Sequence, residues 1–274
     1  MSTSTSLAEG TSSKDTSSVL TTPATSSHLS PNAKNKSHGS KESFIHALFD
    51  SVAGRYDLFN RISSFGLDQG WRRRTLAALK LLPGMRMLDL ATGTGDLAAI
   101  GARELVPVGR VVACDLSLSM LRLAQKKFQR HPVTCWHIQC AQVRAEALPF
   151  ADRSFHAATI GFALRNVSDL ELTMKELHRV VRPGGRVGLL EFGRPKNPLL
   201  RLGQHLWLLT GVPLIGIVTT GTAWPFLYLR RSILQFISSD EVVLRLKTAG
   251  FTEAQAHPIS GGVVVLYTAL RSSN

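Results

Sequence analysis

Acidic residues and cysteines are both scarce in this chain, and each shortage narrows what it can be. Its 274 residues hold 19 Asp and Glu against 32 Lys and Arg, a formal net charge of +13. Such an excess fits a nucleic-acid partner, an anionic membrane surface or solubility alone, and charge by itself does not choose among them. The three cysteines (Cys114, Cys135 and Cys140) form no Cys-x-x-Cys pair and leave an odd one over. That spacing argues against a metal site such as structural zinc and fits a reducing compartment.

Arginine is missing from residues 1–41, and so is any apolar run able to form the core of a signal peptide. Ser and Thr dominate this stretch, which cannot bury enough apolar area to offset its conformational entropy, so it is predicted to be disordered. Its Ser richness suits an organellar transit peptide, but the absence of Arg and the presence of Glu9 and Asp15 argue against a mitochondrial one. Formal charge is also absent from Leu202 to Leu229. That length raises a transmembrane helix, whereas Pro213, Pro225 and four glycines argue against one continuous span. The region around it, residues 199–231, reads as a buried or interfacial cap over an apolar substrate. Arg201, Arg230 and Arg231 bracket it, where lipid headgroups would lie.

What is present is a chain with 44% apolar residues, enough for one large domain over residues 42–274. Its centre is Met87-Leu-Asp-Leu-Ala-Thr-Gly-Thr-Gly-Asp96. A short apolar strand runs into a glycine-rich turn, whose backbone can approach a ligand closely because no Cβ intervenes. The amides of the turn and the start of the following helix suit the polar parts of a nucleotide-like molecule. Asp89 and Asp96 flank the turn and would repel a pyrophosphate. A zwitterionic ligand carrying an ammonium and a sulfonium fits better, which points to S-adenosylmethionine.

Strands and helices then alternate, as in a doubly wound α/β sheet. Helices are predicted at Leu97–Leu105, Leu118–Gln129 and Leu170–Val181. Strands are predicted at Arg110–Cys114, Val133–Gln139, Ala157–Phe162 and Val187–Phe192, the last entered by an Arg182-Pro-Gly-Gly185 turn. Glu253–Ile259 and Val263–Leu270 read as a closing pair around Gly261-Gly262. Asp115 stands 22 residues beyond Gly93, at the end of the second strand, where a carboxylate can accept both hydroxyls of a ribose. Upstream, residues 42–82 read as a helical lid with Phe49, Tyr56, Phe59, Ile62 and Trp71 on apolar faces and a possible break at Gly54. Trp71-Arg-Arg-Arg74 reads as a solvated cationic helix face.

Over residues 44–270 the chain resembles the ubiquinone/menaquinone biosynthesis C-methyltransferases. Phe49-Asp-Ser-Val-Ala-Gly-Arg-Tyr-Asp57, Leu88-Asp-Leu-Ala-Thr-Gly-Thr-Gly-Asp96 and Ala145-Glu-Ala-Leu-Pro-Phe150 carry the likeness. Thr159-Ile-Gly-Phe-Ala-Leu-Arg-Asn166, Arg179-Val-Val-Arg-Pro-Gly-Gly185 and Leu190-Glu-Phe192 add to it. The resemblance implies a Rossmann-like seven-stranded methyltransferase sheet, S-adenosylmethionine as cofactor, and a polyprenylated benzoquinol or naphthoquinol as substrate. It also implies a cofactor surface made of Asp89, Thr92, Gly93, Thr94, Gly95, Asp115, Leu116, Arg144, Ala145 and Gly161. Thr94 and the glycines would meet the methionine end and Asp115 the ribose.

Three positions depart from the family pattern. Arg144 stands where Asp or Asn is usual and cannot accept a bond from an adenine amino group; Gly161 replaces a common Ser, and Arg231 a frequent Glu. Arg165 is the candidate for stabilising a phenolate or polarising a water, as a permanent cation and not a base. Asn166, Tyr56 and Asp57 are candidates for orienting the ring. The alternative role for Arg165 is to tie its loop through a carboxylate. Other readings are a nicotinamide oxidoreductase, since Gly93-Thr-Gly-Asp-Leu-Ala98 fits GxGxxA, an RNA methyltransferase, and a non-catalytic assembly protein. The apolar stretch and the lack of an appended RNA-binding motif favour a greasy acceptor over nucleic acid. The expected setting is cytoplasmic and peripheral to the inner membrane, or organellar if the tail is a transit peptide, with a homodimer or a larger quinone-biosynthesis assembly possible.

Overall fold

The computed structural model describes residues 53–105, 107–222 and 224–273. The predicted disordered tail and the helical start around Phe44 and Phe49 lie outside the described residues. A single turn, Ala53–Arg55, leads into α1 (Tyr56–Ser63) and α2 (Leu67–Leu79). The alternating body follows: β1 (Arg86–Leu90), α3 (Asp96–Leu105), β2 (Arg110–Asp115), α4 (Leu118–Gln129), α5 (Pro132–His137) and β3 (Ile138–Gln142). After it come β4 (Phe155–Gly161), α6 (Leu170–Val180) and β5 (Val181–Phe192). Next, α7 (Pro198–Leu206), a π-helical turn (Trp207–Gly211) and α8 (Val212–Thr220) run on as one helix. The chain closes with α9 (Trp224–Gln235), α10 (Ser239–Thr248), β6 (Phe251–Ile259) and β7 (Val264–Arg271).

The strands form one seven-stranded sheet in the order β3-β2-β1-β4-β5-β7-β6. All neighbours from β3 to β5 are parallel, and β7 runs antiparallel to both strands beside it. Helices cover both faces, so Met87 to Leu90 are all buried. Alternation along β1 divides the core: Leu88 and Leu90 pack with Ile160, Leu189 and Leu177 on one face, Met87 with Ala98, Ala102 and Leu76 on the other. Each such buried Leu contributes about 1.5–3 kcal/mol. From β1 the chain winds outward to β2 and β3, then returns to place β4 on the opposite side of β1. The loops above β1 and β4 therefore diverge, leaving a crevice at the carboxyl ends of the strands.

The helix over Leu118–Gln129 matches its sequence pattern, with Ser117 Oγ accepting from the Met120 amide as its N-cap. Three expectations change. The third strand does not begin at Val133, because Pro132 opens a short helix in which the Thr134 hydroxyl donates to the Phe128 and His131 carbonyls. The strand itself is Ile138–Gln142. The Arg182-Pro-Gly-Gly185 turn is a bulge within β5, since Phe155 pairs with Val181 while Ala157 pairs with Arg186. Pro213 does not interrupt its helix. The π-helical turn just before it gives the proline ring room that an α-helix denies it.

Gly95 shows how tightly the loop is set on the fold. Its φ is +84°, and a Cβ there would stand 2.3 Å from Phe128 Cζ. Gly95→Ala should therefore lower stability by about 2–4 kcal/mol, combining left-handed strain with overpacking. Gly93, also left-handed but with nothing within 4 Å of its Cβ position, should lose less on the same change. Urea unfolding of the two variants beside the parent checks the order.

Candidate active site

The crevice above β1, β2 and β4 is walled by the glycine loop. Thr92 N–H donates to the Cys114 carbonyl at 2.8 Å and Gly95 N–H to the Thr92 carbonyl at 2.9 Å, which fixes the turn on top of β2. Asp115, at the tip of β2, accepts from the Gly93 amide through one oxygen and from the Ser117 amide through the other, both at 2.8 Å. Asp115 lines the chamber beside Leu116. A Cβ on Gly93 would point into the open space of the same chamber.

Asp89 sits beneath the loop, 1% exposed. It accepts from the Thr92 hydroxyl at 2.5 Å, the Thr159 hydroxyl at 2.6 Å and the Ala98 amide at 3.1 Å. Burial outweighs these donors and pushes its pKa up to about 6. Asp96 behaves oppositely: burial raises it, but Arg72 and Lys127 outweigh that and hold its carboxyl below the usual range. Lys127 Nζ lies 2.7 Å from Asp96 and 2.6 Å from Asp57, while the Thr94 hydroxyl donates to Asp57. These bonds pin α1 and α4 to the loop.

A second chamber lies beside the first, lined by Phe59, Trp207, Leu208, Val212 and Phe226. Tyr56, Arg72, Phe162 and Asn166 line both chambers and so form their common wall. Phe162 adopts φ 58° at the end of β4 and is braced by its amide on the Leu190 carbonyl and by the Phe192 ring at 4.8 Å. Such a left-handed non-glycine residue is strain held at a site. Arg165 opens onto the apolar chamber, with Nη1 2.5 Å from Glu191 and 2.6 Å from the Phe162 carbonyl and Nε 3.3 Å from Ser232. Its side chain is 5% exposed and that of Glu191 is fully buried. Tyr228 donates to Asn166 Oδ1 at 3.3 Å. Burial raises the phenol pKa of both Tyr56 and Tyr228, so both stay protonated.

Of the residues singled out in the sequence, Asp89, Thr92, Gly93, Thr94, Asp115, Leu116, Ala145 and Gly161 line the first chamber. Tyr56 and Asn166 share the wall, and Arg165 lines the second chamber. Three lie off both linings. Arg144 is exposed, its backbone bridged to Ala147, and the surface passes from Val143 to Ala145 and Glu146. Gly95 faces Phe128, and Asp57 holds the loop from behind. The sequence reading missed Arg72, which is buried between Asp68 at 2.8 Å and Asp96 at 3.7 Å and does not belong to a solvated face. The Asp68–Arg72 spacing of four was the available signal. Glu146, Glu191 and Tyr228 were also missed. Glu146 accepts from the Ser168 and Asp169 amides and lines the first chamber.

The Arg165–Glu191 pair is buried on both sides, and removing one partner strands the other. Glu191→Ala should cost about 3–5 kcal/mol, whereas Glu191→Gln keeps an acceptor and should cost less. Denaturant midpoints of the two variants test this ordering.

Relatives place these features in a family. A protein named ubiquinone/menaquinone biosynthesis C-methyltransferase UbiE from Hahella chejuensis is 35% identical over 85% of this chain and 93% of its own length. A demethylmenaquinone methyltransferase from Desulfitobacterium hafniense is 37% identical over 82% and 89%. Solved structures share the fold at lower identity. A SAM-dependent methyltransferase from Aquifex aeolicus has a TM-score of 0.55 at 18% identity, covering 73% of this chain and 89% of that one. A possible histamine N-methyltransferase from Thermotoga maritima has 0.56 at 20%, covering 83% and 99%. The sequence profile of the ubiE/COQ5 methyltransferase family matches residues 37–271, and the chain belongs to that family.

Proposed function

We propose that this enzyme methylates a ring carbon of a polyprenylated benzoquinol or naphthoquinol, with S-adenosylmethionine as donor. The observation that carries the reading is the pair of chambers, one edged by Asp89, Asp96, Asp115 and Thr94 and one more strongly apolar, that meet at the wall of Tyr56, Arg72, Phe162 and Asn166. S-adenosylmethionine, when bound, supplies an electrophilic sulfonium methyl. The first chamber fits that molecule in the charged and hydrogen-bonding groups along its edge. Asp115, an acceptor-only group at the tip of β2, takes the ribose hydroxyls, Gly93 leaves space for close approach, and Asp89 and Asp96 face an ammonium. Arg72 supplies the cation that a methionine carboxylate needs.

The quinol head lies on the other side of the wall, with its tail among Phe59, Leu208, Val212 and Phe226. Arg165, aimed by Glu191, stabilises the phenolate that makes the neighbouring ring carbon nucleophilic. Tyr228 and Asn166 orient the ring oxygen from the same side. Holding both reactants across one wall supplies on the order of 7–11 kcal/mol through orientation alone. Mass analysis of both demethylated quinols after incubation with labelled S-adenosylmethionine and purified protein tests the reaction. A label on neither quinol overturns it.

Arg165→Lys keeps the charge but loses the fork that engages Glu191 and the Phe162 carbonyl together. Turnover should fall by about 10²-fold, with S-adenosylhomocysteine affinity unchanged. A lysine variant with parental turnover would remove Arg165 from the chemistry. Asp89 gives a second test. Its raised pKa means that the stability it contributes is full below the ordinary carboxylate range and is lost as pH rises through about 6. A ligand ammonium favours the ionised form. Affinity for S-adenosylhomocysteine should therefore rise between about pH 5 and pH 7, by at most tenfold per unit, and then level off. Calorimetric titration across that range reads it, and a flat profile contradicts an ammonium beside Asp89.

A further inference from the structure

The helix Pro198–Thr220 is apolar over most of its length and carries no charge after Arg201. Its inner stripe, Leu208, Val212, Gly216 and Thr219, is buried, and Leu208 and Val212 line the apolar chamber. Its outer stripe is equally greasy and has no partner within the described residues: Leu202, Leu206, Leu209, Leu214, Ile217 and Val218 are 42–74% exposed. Only 22% of its most apolar window is buried in the fold. A helix segment such as Val212–Thr220, apolar with little amphipathic bias, belongs in an apolar environment on both sides, and here the protein supplies one side only.

The surroundings identify the other. Leu227 and Trp224 on α9 are exposed beside this helix, and Phe65, 74% exposed, continues the patch with its ring 4.9 Å from Trp207. From Phe192 to Ser239 the chain has no acidic residue and carries Arg194, Lys196, Arg201, Arg230 and Arg231. A broad apolar face whose own stretch of chain carries only basic charges is complementary to a bilayer surface with anionic headgroups, and a protein partner is not required to have that chemistry. The helix is 23 residues long and so could in length span a bilayer. Its attachments oppose that: Trp207 Nε1–H donates to the Ser63 carbonyl at 3.2 Å, and Arg55 Nη1 donates to the Thr219 carbonyl at 2.8 Å. Both halves of the helix are thereby tied to the start of the domain.

The geometry points to docking of this face, flat, on an anionic phospholipid surface, so that one helix is in contact with lipid on its outside and walls the quinol chamber on its inside. The inference rests on the quinol reading for its purpose and on exposure and charge for its existence. A prenyl tail then passes from lipid into the chamber around a single helix, without crossing water.

The test uses the full chain and phosphatidylcholine vesicles with and without phosphatidylglycerol. The parent protein should sediment with the anionic vesicles, less so as salt rises. The double variant Leu214→Glu and Val218→Glu, which touches neither chamber, should lose about tenfold or more of that binding. Its turnover of a tail-less demethylated quinol in solution should match the parent, while turnover of the long-tailed quinol in vesicles falls. Unchanged vesicle binding by the double variant overturns the proposal. So does a parental dimer in sedimentation velocity that the same variant dissolves, because the face is then a protein interface. Retention through alkaline carbonate extraction also overturns it, in favour of a spanning helix. If the tail-less quinol is methylated by neither protein, the quinol reading fails while the vesicle result still stands on its own.

Discussion

One buried carboxylate holds the catalytic end of this molecule together. Asp89 belongs to β1 but accepts from the loop through Thr92, from α3 through Ala98 and from β4 through Thr159. Those are the elements that part at the topological switch point, where the backbone alone leaves a gap. A carboxylate suits the task because it is acceptor-only and can take several donors at once. Its protonation balance is displaced toward neutrality by burial.

A second buried charge cluster governs the neighbouring chamber in a different way. Glu191 lies inside β5 with no solvent contact, and its oxygens engage both the side chain and the amide of Arg165. The two readings of Arg165 raised by the sequence, loop tie and phenolate partner, are therefore compatible. The carboxylate tie gives the guanidinium a fixed direction, and a fixed direction is what electrostatic catalysis requires. Arg72 has the same character on the shared wall, held by Asp68 and Asp96 and lying 5.6 Å from the Phe162 ring centroid.

The parts of this arrangement legible in the sequence are those set by local chemistry. The strand–turn–helix at Met87–Asp96 declares itself through apolar run, glycines and helix start. The bounds of α4 follow from Ser117 and the spacing of Met120, Leu121, Ala124 and Phe128. Asp115 follows from its place after the second strand. Illegible parts depend on contacts distant in the chain. Glu191 and Arg165 are 26 residues apart and meet because β4 and β5 are neighbours, and Tyr228 reaches Asn166 over 62 residues. The short helix Pro132–His137 misled because its β-branched residues suit a strand, whereas its turn is held by the hydroxyl of Thr134. Arg144 is placed by neighbours that family position does not show, outside both linings with its backbone bridged to Ala147.

The order of the sheet has a consequence for how the chain is made. Strand β7 is synthesised after β6 yet lies between β6 and β5. While the ribosome is still adding residues up to Arg271, β5 presents an unpaired edge and β6 has no partner. An edge of that kind, long and apolar, is a template for other chains. Arg271 then closes the gap, its guanidinium bonding the carbonyls of His178, Arg179 and Val181 where α6 runs into β5. Between emergence of β5 and emergence of β7 the chain therefore exposes strand edges on both β5 and β6, and one late strand covers them together.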